Sequence, residues 1–85
     1  MNITLRFFAS VREALGTSTE SLALPEGVAT VGQVRAHLIG RGDPWAKALG
    51  EGRALRMACN QVMCDADSAV SEGCELAFFP PVTGG

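Results

Sequence analysis

The residues with the most definite chemical use stand together at the end of the chain, in Phe78-Phe79-Pro80-Pro81-Val82-Thr83-Gly84-Gly85. Two aromatic residues close a strand-like run, and two prolines then stop further sheet pairing. Gly84 and Gly85 carry no side chains, so this pair fits a channel too narrow for any other dipeptide. Its chemistry is that of the Gly85 carboxylate. A carboxylate is a poor electrophile and becomes an acyl donor only after activation, most simply as an acyl-adenylate. Pro80-Pro81 favours an extended, stiff backbone that projects the tail from the sheet. The six residues from Pro80 to Gly85 reach at most about 20 Å, enough to enter the active site of another protein. The plain alternative is a frayed end, since glycine occurs ten times in 85 residues.

The other residues offer no machinery for that activation. There is no GxxxxGK[ST] loop and no GxGxxG to cradle a nucleotide. No Ser/His/Asp or Cys/His set is spaced as a nucleophilic site. Cys59, Cys64 and Cys74 are odd in number and show no CxxC spacing, and the only histidine, His37, falls far away in a helical pattern. No zinc site is expected, and the cysteines read as small, half-buried hydrophobes. The domain is therefore expected to do no catalysis alone and to bind no cofactor or metal, ATP being used by a separate activating enzyme.

Composition sets the same frame. Eighty-five residues, 47% hydrophobic and 19% charged, describe one ordinary globular domain with a modest core. The formal net charge of -2 and the scattered arginines argue against a nucleic-acid partner. No apolar run approaches the roughly 20 residues needed to span a bilayer. The N-terminus lacks a signal-peptide layout, so no membrane association and a cytoplasmic location are expected.

The elements that must hold the tail follow from periodicity. Ile3, Leu5 and Phe7 alternate with Thr4, Arg6 and Phe8, a strand with one buried face that leaves Phe8 pointing outward. Ser10-Val11-Arg12-Glu13 has capping-box spacing for a short helix ended by Gly16. A weaker strand, Thr19 to Leu24, precedes the turn Pro25-Glu26-Gly27. Thr30-Val31-Gly32-Gln33 repeats the capping signature, and Val31, Val34 and Leu38 form one face of the main helix, ended by Gly40 and Gly42. Asp43-Pro44 offers an N-cap and first-turn proline for a brief turn carrying Trp45 and Leu49. Leu55 to Cys59, the Asn60-Gln61 turn and Val62 to Cys64 read as a hairpin. The final strand runs from Cys74 to Phe79. The order predicts an α+β, ubiquitin-like β-grasp domain over residues 1–79. Its mixed sheet has four to five strands, with one main helix across it and the first and last strands central. Residues 80–85 form a flexible tail.

With these residues in place the chain resembles the MoaD family, the small ubiquitin-like sulfur-carrier subunits of molybdopterin synthase. The resemblance rests on Phe7-Phe8-Ala9 with Val11-Arg12-Glu13 and Gly16, on Trp45-Ala46 with Ala48-Leu49, on Asn60-Gln61, and above all on Gly73, Glu75 and Ala77 through Gly85. It implies a carrier cycle. An E1-like enzyme adenylates the Gly85 carboxylate with ATP, and a sulfur donor protein converts it to a thiocarboxylate. The tail, from Pro80 and Pro81 through Val82, Thr83 and Gly84, then threads into the large synthase subunit and delivers sulfur to a pterin precursor. The resemblance further implies a heterotetramer with two carriers on a large-subunit dimer.

Strand parity adds a second expected site. Phe8 and Phe79 fall on the solvent side of adjacent central strands and so form one apolar patch, the mark of a protein interface. Met63 joins as a third contact and Arg12 as a rim contact. Cys59 and Cys74 depart from the family pattern without touching the tail. Two alternatives stay open. One is a carrier serving thiazole or thioamino-acid synthesis; the other is a ubiquitin-like modifier conjugated to lysines.

Overall fold

The computed structural model describes residues 1–50, 52 and 54–81. Along the chain lie β1 (Asn2–Phe7), α1 (Ala9–Leu15), β2 (Thr19–Ala23), α2 (Val31–Ile39), α3 (Trp45–Leu49), β3 (Arg56–Cys59), β4 (Val62–Cys64) and β5 (Glu75–Phe79). They form a five-stranded sheet in the order β2-β1-β5-β3-β4. β1 and β5 are parallel neighbours at its centre, and every other pairing is antiparallel. This is the expected β-grasp arrangement.

The core explains why the strands alternate as they do. Ile3, Leu5 and Phe7 from β1 and Leu76 and Phe78 from β5 face inward against Val31, Val34 and Leu38 of α2. Phe7 and Phe78 stack with centroids 6.2 Å apart, and Trp45 meets Phe7 edge-on at 5.7 Å. Each of the largest of these side chains contributes roughly 1.5–3 kcal/mol by leaving water. Trp45 is half-buried; its other contact is the Arg41 guanidinium, 4.5 Å from the ring centroid and paired with Glu20 at 2.6 Å. That arrangement ties the loop after α2 to β2.

α2 begins as its sequence predicts. The Thr30 hydroxyl accepts the Gln33 N–H at 3.2 Å, and the Gln33 side chain accepts the Thr30 N–H at 3.1 Å. The loop after β4 completes this end, since the Val31 and Gly32 N–H groups donate to Ser68 and Ala66 carbonyls. Gly32 suits this close approach, because a Cβ would stand 3.0 Å from the Ala66 carbonyl oxygen and the loop would have to shift by a few tenths of an ångström. At the other end Gly40 is still right-handed (φ −63°), and the left-handed stop comes at Gly42 (φ 86°). Arg35 then fixes α2 to α3 by donating to the Leu49 and Gly50 carbonyls at 2.6 and 2.7 Å.

Two expected caps do not form. α1 starts before Ser10, with extended Phe8 at its N-cap and no side-chain cap bond. The Phe8 N–H is still bonded to the Phe78 carbonyl, while its own carbonyl accepts from Val11 and Arg12. Strand therefore passes into helix within one residue, and Ala9 absorbs the turn at φ 51°. A left-handed non-glycine residue costs roughly 1–2 kcal/mol. At α3, Pro44 rather than Asp43 holds the N-cap position. The backbone supplies the first turn instead, through Ala46 N–H to Gly42 O and Ala48 N–H to Pro44 O.

Candidate functional site: the outward sheet face and the root of the tail

The helices cover one face of the sheet, and the opposite face is built by the alternate residues of each strand. The register sets two rows across it. In the first, Met63 of β4 faces Ala58 of β3, Ala58 faces Ala77 of β5, Ala77 faces Arg6 of β1, and Arg6 faces Thr19 of β2. In the second, Arg56 faces Phe79, and Phe8 follows the Phe7–Phe78 pair as the next step of the parallel ladder. The 3.2 Å bond from the Phe8 N–H to the Phe78 carbonyl keeps that step in register beyond the end of β1.

Phe8 is 40% exposed and Met63 55% exposed, whereas Phe79 is half-buried. Phe79 ends the central strand, so neighbours on both β1 and β3 flank it. Ala58 and Ala77 are buried although they lie on the outward face. Small side chains in the middle of the rows are covered by the long ones around them. The result is a floor of two alanines surrounded by Phe8, Phe79, Met63, Arg6 and Arg56.

The sequence reading brought Phe8, Phe79 and Met63 to this face, and the structure places all three there. Arg12 stands apart from the rows. It is exposed on α1, one helical turn above Phe8, whose carbonyl accepts its N–H. Arg6, Arg56, Ala58 and Ala77 were not singled out, although the alternation that placed Phe79 outward applied to them equally. Arg6 is held mainly by packing. Its guanidinium lies over the Phe8 ring at 5.6 Å, and its pair with Glu75 is long, at 3.4 Å. Its Nε is buried with no hydrogen-bond partner among the described residues. An orphan donor of this kind costs roughly 1–3 kcal/mol.

The tail starts where β5 ends. Pro80 and Pro81 are half-buried and line a groove of about 390 Å³ between α1, the end of α3 and the segment before β3. Ser10, Val11, Ala14, Ala48 and Leu55 form its walls. The two prolines thus lie against the domain rather than projecting freely from it, because α1 and Leu55 offer apolar surface beside them. Val82, Thr83, Gly84 and Gly85 lie outside the described residues.

The sequence model of the ThiS family matches residues 5–85. The chain belongs to the ThiS family. It is 46% identical to the molybdopterin synthase sulfur carrier subunit of Haemophilus influenzae over 98% of this chain and 99% of that protein. Identity to the Escherichia coli protein of the same name is 43%, with the same coverage. Among solved structures, it is similar to the small archaeal modifier protein 1 of Haloferax volcanii. That match has a TM-score of 0.74 at 27% identity and covers 95% of this chain and 98% of that one.

In this ThiS-family chain the cysteines gather away from the outward face. Cys59 lies opposite Leu76, and Cys64 opposite Met57, on the core side of the sheet, and Cys74 is buried just before β5. Burial, with the Cys74 and Cys64 thiols beside it, pushes the Cys59 thiol up to about 11. Burial and the Asp65 carboxylate push Cys64 up as well. Thiols in such surroundings stay protonated at neutral pH and are poor nucleophiles. Among the described residues no three His, Cys, Asp or Glu side chains converge as a metal site, and no helix is long and apolar enough to cross a membrane.

Proposed function

We propose that this chain is the sulfur-carrier subunit of a molybdopterin synthase. The observation that carries this reading is the near-full-length identity of 46% and 43% to two proteins of that name. In the proposed cycle a Gly85 carboxylate oxygen attacks the α-phosphorus of ATP on an E1-like enzyme, and pyrophosphate leaves. Sulfide (HS⁻) supplied by a donor protein then attacks the acyl carbon and AMP leaves, giving the thiocarboxylate. That sulfur is a nucleophile at the end of a thin arm, suited to reach a pterin precursor inside the large subunit.

The fold supports the division of labour. Phe8, Phe79 and Met63 give a docking face beside the tail, with Arg12 at its rim, and Pro80 and Pro81 give the arm a seated root. The four residues beyond Pro81 span at most about 14 Å when extended, which sets how deep the partner's active site can lie. In this reading the chain works in the cytoplasm, binds no cofactor of its own, and depends on the activating enzyme for ATP.

The test is intact mass spectrometry of the protein from cells that make the cofactor. It should show a fraction in which sulfur replaces one oxygen at Gly85. Deleting Gly85, or adding a residue after it, should abolish cofactor synthesis while the domain still folds; continued synthesis would refute the carrier reading. The likeness to small archaeal modifier protein 1 favours one second reading, conjugation to lysines. That reading requires isopeptide-linked species in the same cells, and a thiocarboxylate without them leaves the carrier alone. A carrier for thiazole or thioamino-acid synthesis would show the thiocarboxylate but copurify with a different acceptor.

A further inference from the structure

The outward face carries two cationic groups whose placement the docking reading leaves unexplained. Arg6 and Arg56 flank the alanine floor on opposite sides, Arg6 across from Ala77 and Arg56 across from Phe79. The two are two strands and two residues apart, so their Cα atoms stand roughly 12 Å from each other by sheet spacing. Besides the Phe8 ring, Arg6 has only the long contact with Glu75, and neither ion pair among the described residues uses Arg56. Each guanidinium therefore keeps donors free for something outside the chain.

The surroundings narrow what that something is. The chain as a whole is acidic, yet this face carries two arginines beside the single carboxylate of Glu75, a local excess of positive charge. Between them lie Ala58, Ala77 and Phe79, which call for apolar surface rather than solvent. We infer that Arg6 and Arg56 select a partner surface in which an apolar ridge is flanked by two carboxylates, one meeting each arginine. The inference rests on the docking face proposed above and assigns that surface to the large subunit of the synthase.

Packing prepares Arg6 for the role. Its Nε is buried and its guanidinium lies on the Phe8 ring, so part of its side-chain freedom is already lost before pairing. An incoming carboxylate meets a positioned donor edge beside an aromatic contact that it also buries. Glu75 keeps the arginine in place without saturating it.

The experiment measures binding of the full chain to the purified large subunit of the same organism. Calorimetry is run at about 0.1 M and about 1 M salt, between which the Debye length falls from roughly 10 Å to 3 Å. The chain should bind at least severalfold more weakly at high salt. Arg6→Gln/Arg56→Gln should bind about tenfold more weakly at low salt and match the parent at high salt, as expected for two rim pairs. Arg6→Lys/Arg56→Lys should keep the salt dependence, which separates charge from packing. Melting curves verify that each variant is folded. If Phe79→Asp loses binding while the glutamine variant behaves as the parent at both salts, the arginine inference is overturned and the docking face stands. If Phe79→Asp binds as the parent does, the docking face falls and this inference with it.

Discussion

Phe78 and Phe79 are neighbours of the same type on opposite sides of one strand, so replacing each in turn tests the assignment of the two faces. Phe78 is fully buried and stacked on Phe7. Phe78→Ala should cost about 3–5 kcal/mol, the usual loss for a core phenylalanine. A domain of this size has roughly 4–13 kcal/mol in total, so much of its stability would go. The melting temperature should fall by at least about 12 °C, at roughly 4 °C or more for each kcal/mol. Phe79 is half-buried on the outward face, and removing its ring should cost only about 1 kcal/mol. In Phe79→Asp the new carboxylate would stand opposite Arg56, which offsets part of that loss. The melting temperature should therefore fall by at most about 4–8 °C. Binding to the large subunit should instead weaken about thirtyfold or more, as for a hot-spot aromatic. Calorimetry of unfolding and of binding on the two variants gives four numbers. Equal melting losses, or a Phe79→Asp variant that binds normally, would show that the faces have been assigned wrongly.

Three further outcomes follow from individual side chains. Thr30→Ala removes the hydroxyl that accepts the Gln33 N–H and should lower stability by about 1 kcal/mol, while Thr30→Ser should restore most of it; urea unfolding of the three proteins decides this. Cys59, raised from 9.0 to about 11, should be alkylated slowly near neutral pH, with a rate that climbs through about pH 11. The sign for stability follows from the same shift. Below pH 9 the thiol is protonated in both states, and above it the unfolded chain loses its proton first. Stability should therefore drop between about pH 9 and 11, and this drop should shrink in Cys59→Val. Alkylation with an ordinary thiol profile would refute the burial of that sulfur.

Most of the fold was readable because it depends on short periods and local caps. Ile3, Leu5 and Phe7, the Thr30–Gln33 box, and Asn60-Gln61, both in left-handed conformation (φ 50° and 67°), each announce themselves within a few residues. The start of α1 was not readable. Ser10 has the right neighbours for a cap, but the Phe8–Phe78 ladder bond, made across 70 residues of chain, decides where strand ends and helix begins. The site divided the same way. Phe8, Phe79 and Met63 stand out as large apolar residues at outward positions, whereas Ala58 and Ala77 gain meaning only when the register brings them side by side. Arg6 and Arg56 looked like ordinary surface charges until the sheet order placed one on each side of that floor.

β5 shows why those two levels cannot be separated. Its inward residues Leu76 and Phe78 close the core, its outward residues Ala77 and Phe79 floor and edge the proposed docking face, and its next residue lines the groove at the root of the tail. It is bonded on both sides, to β1 and to β3, so it has no free edge. An edge strand opens locally at a fraction of the global cost, whereas a central strand opens only when the sheet does. An arm rooted on β2 or β4 would wander with the fraying of its strand. Rooted on β5, it begins at a point fixed relative to Phe79 and Arg56, so in the proposed complex docking of the face would also set where the arm enters its partner. That geometry gives one further discriminating outcome: inserting a glycine between Phe79 and Pro80 should leave binding of the face unchanged while sulfur transfer falls, because only the arm's starting point has moved. If transfer survives the insertion at full rate, the fixed root is not what positions Gly85.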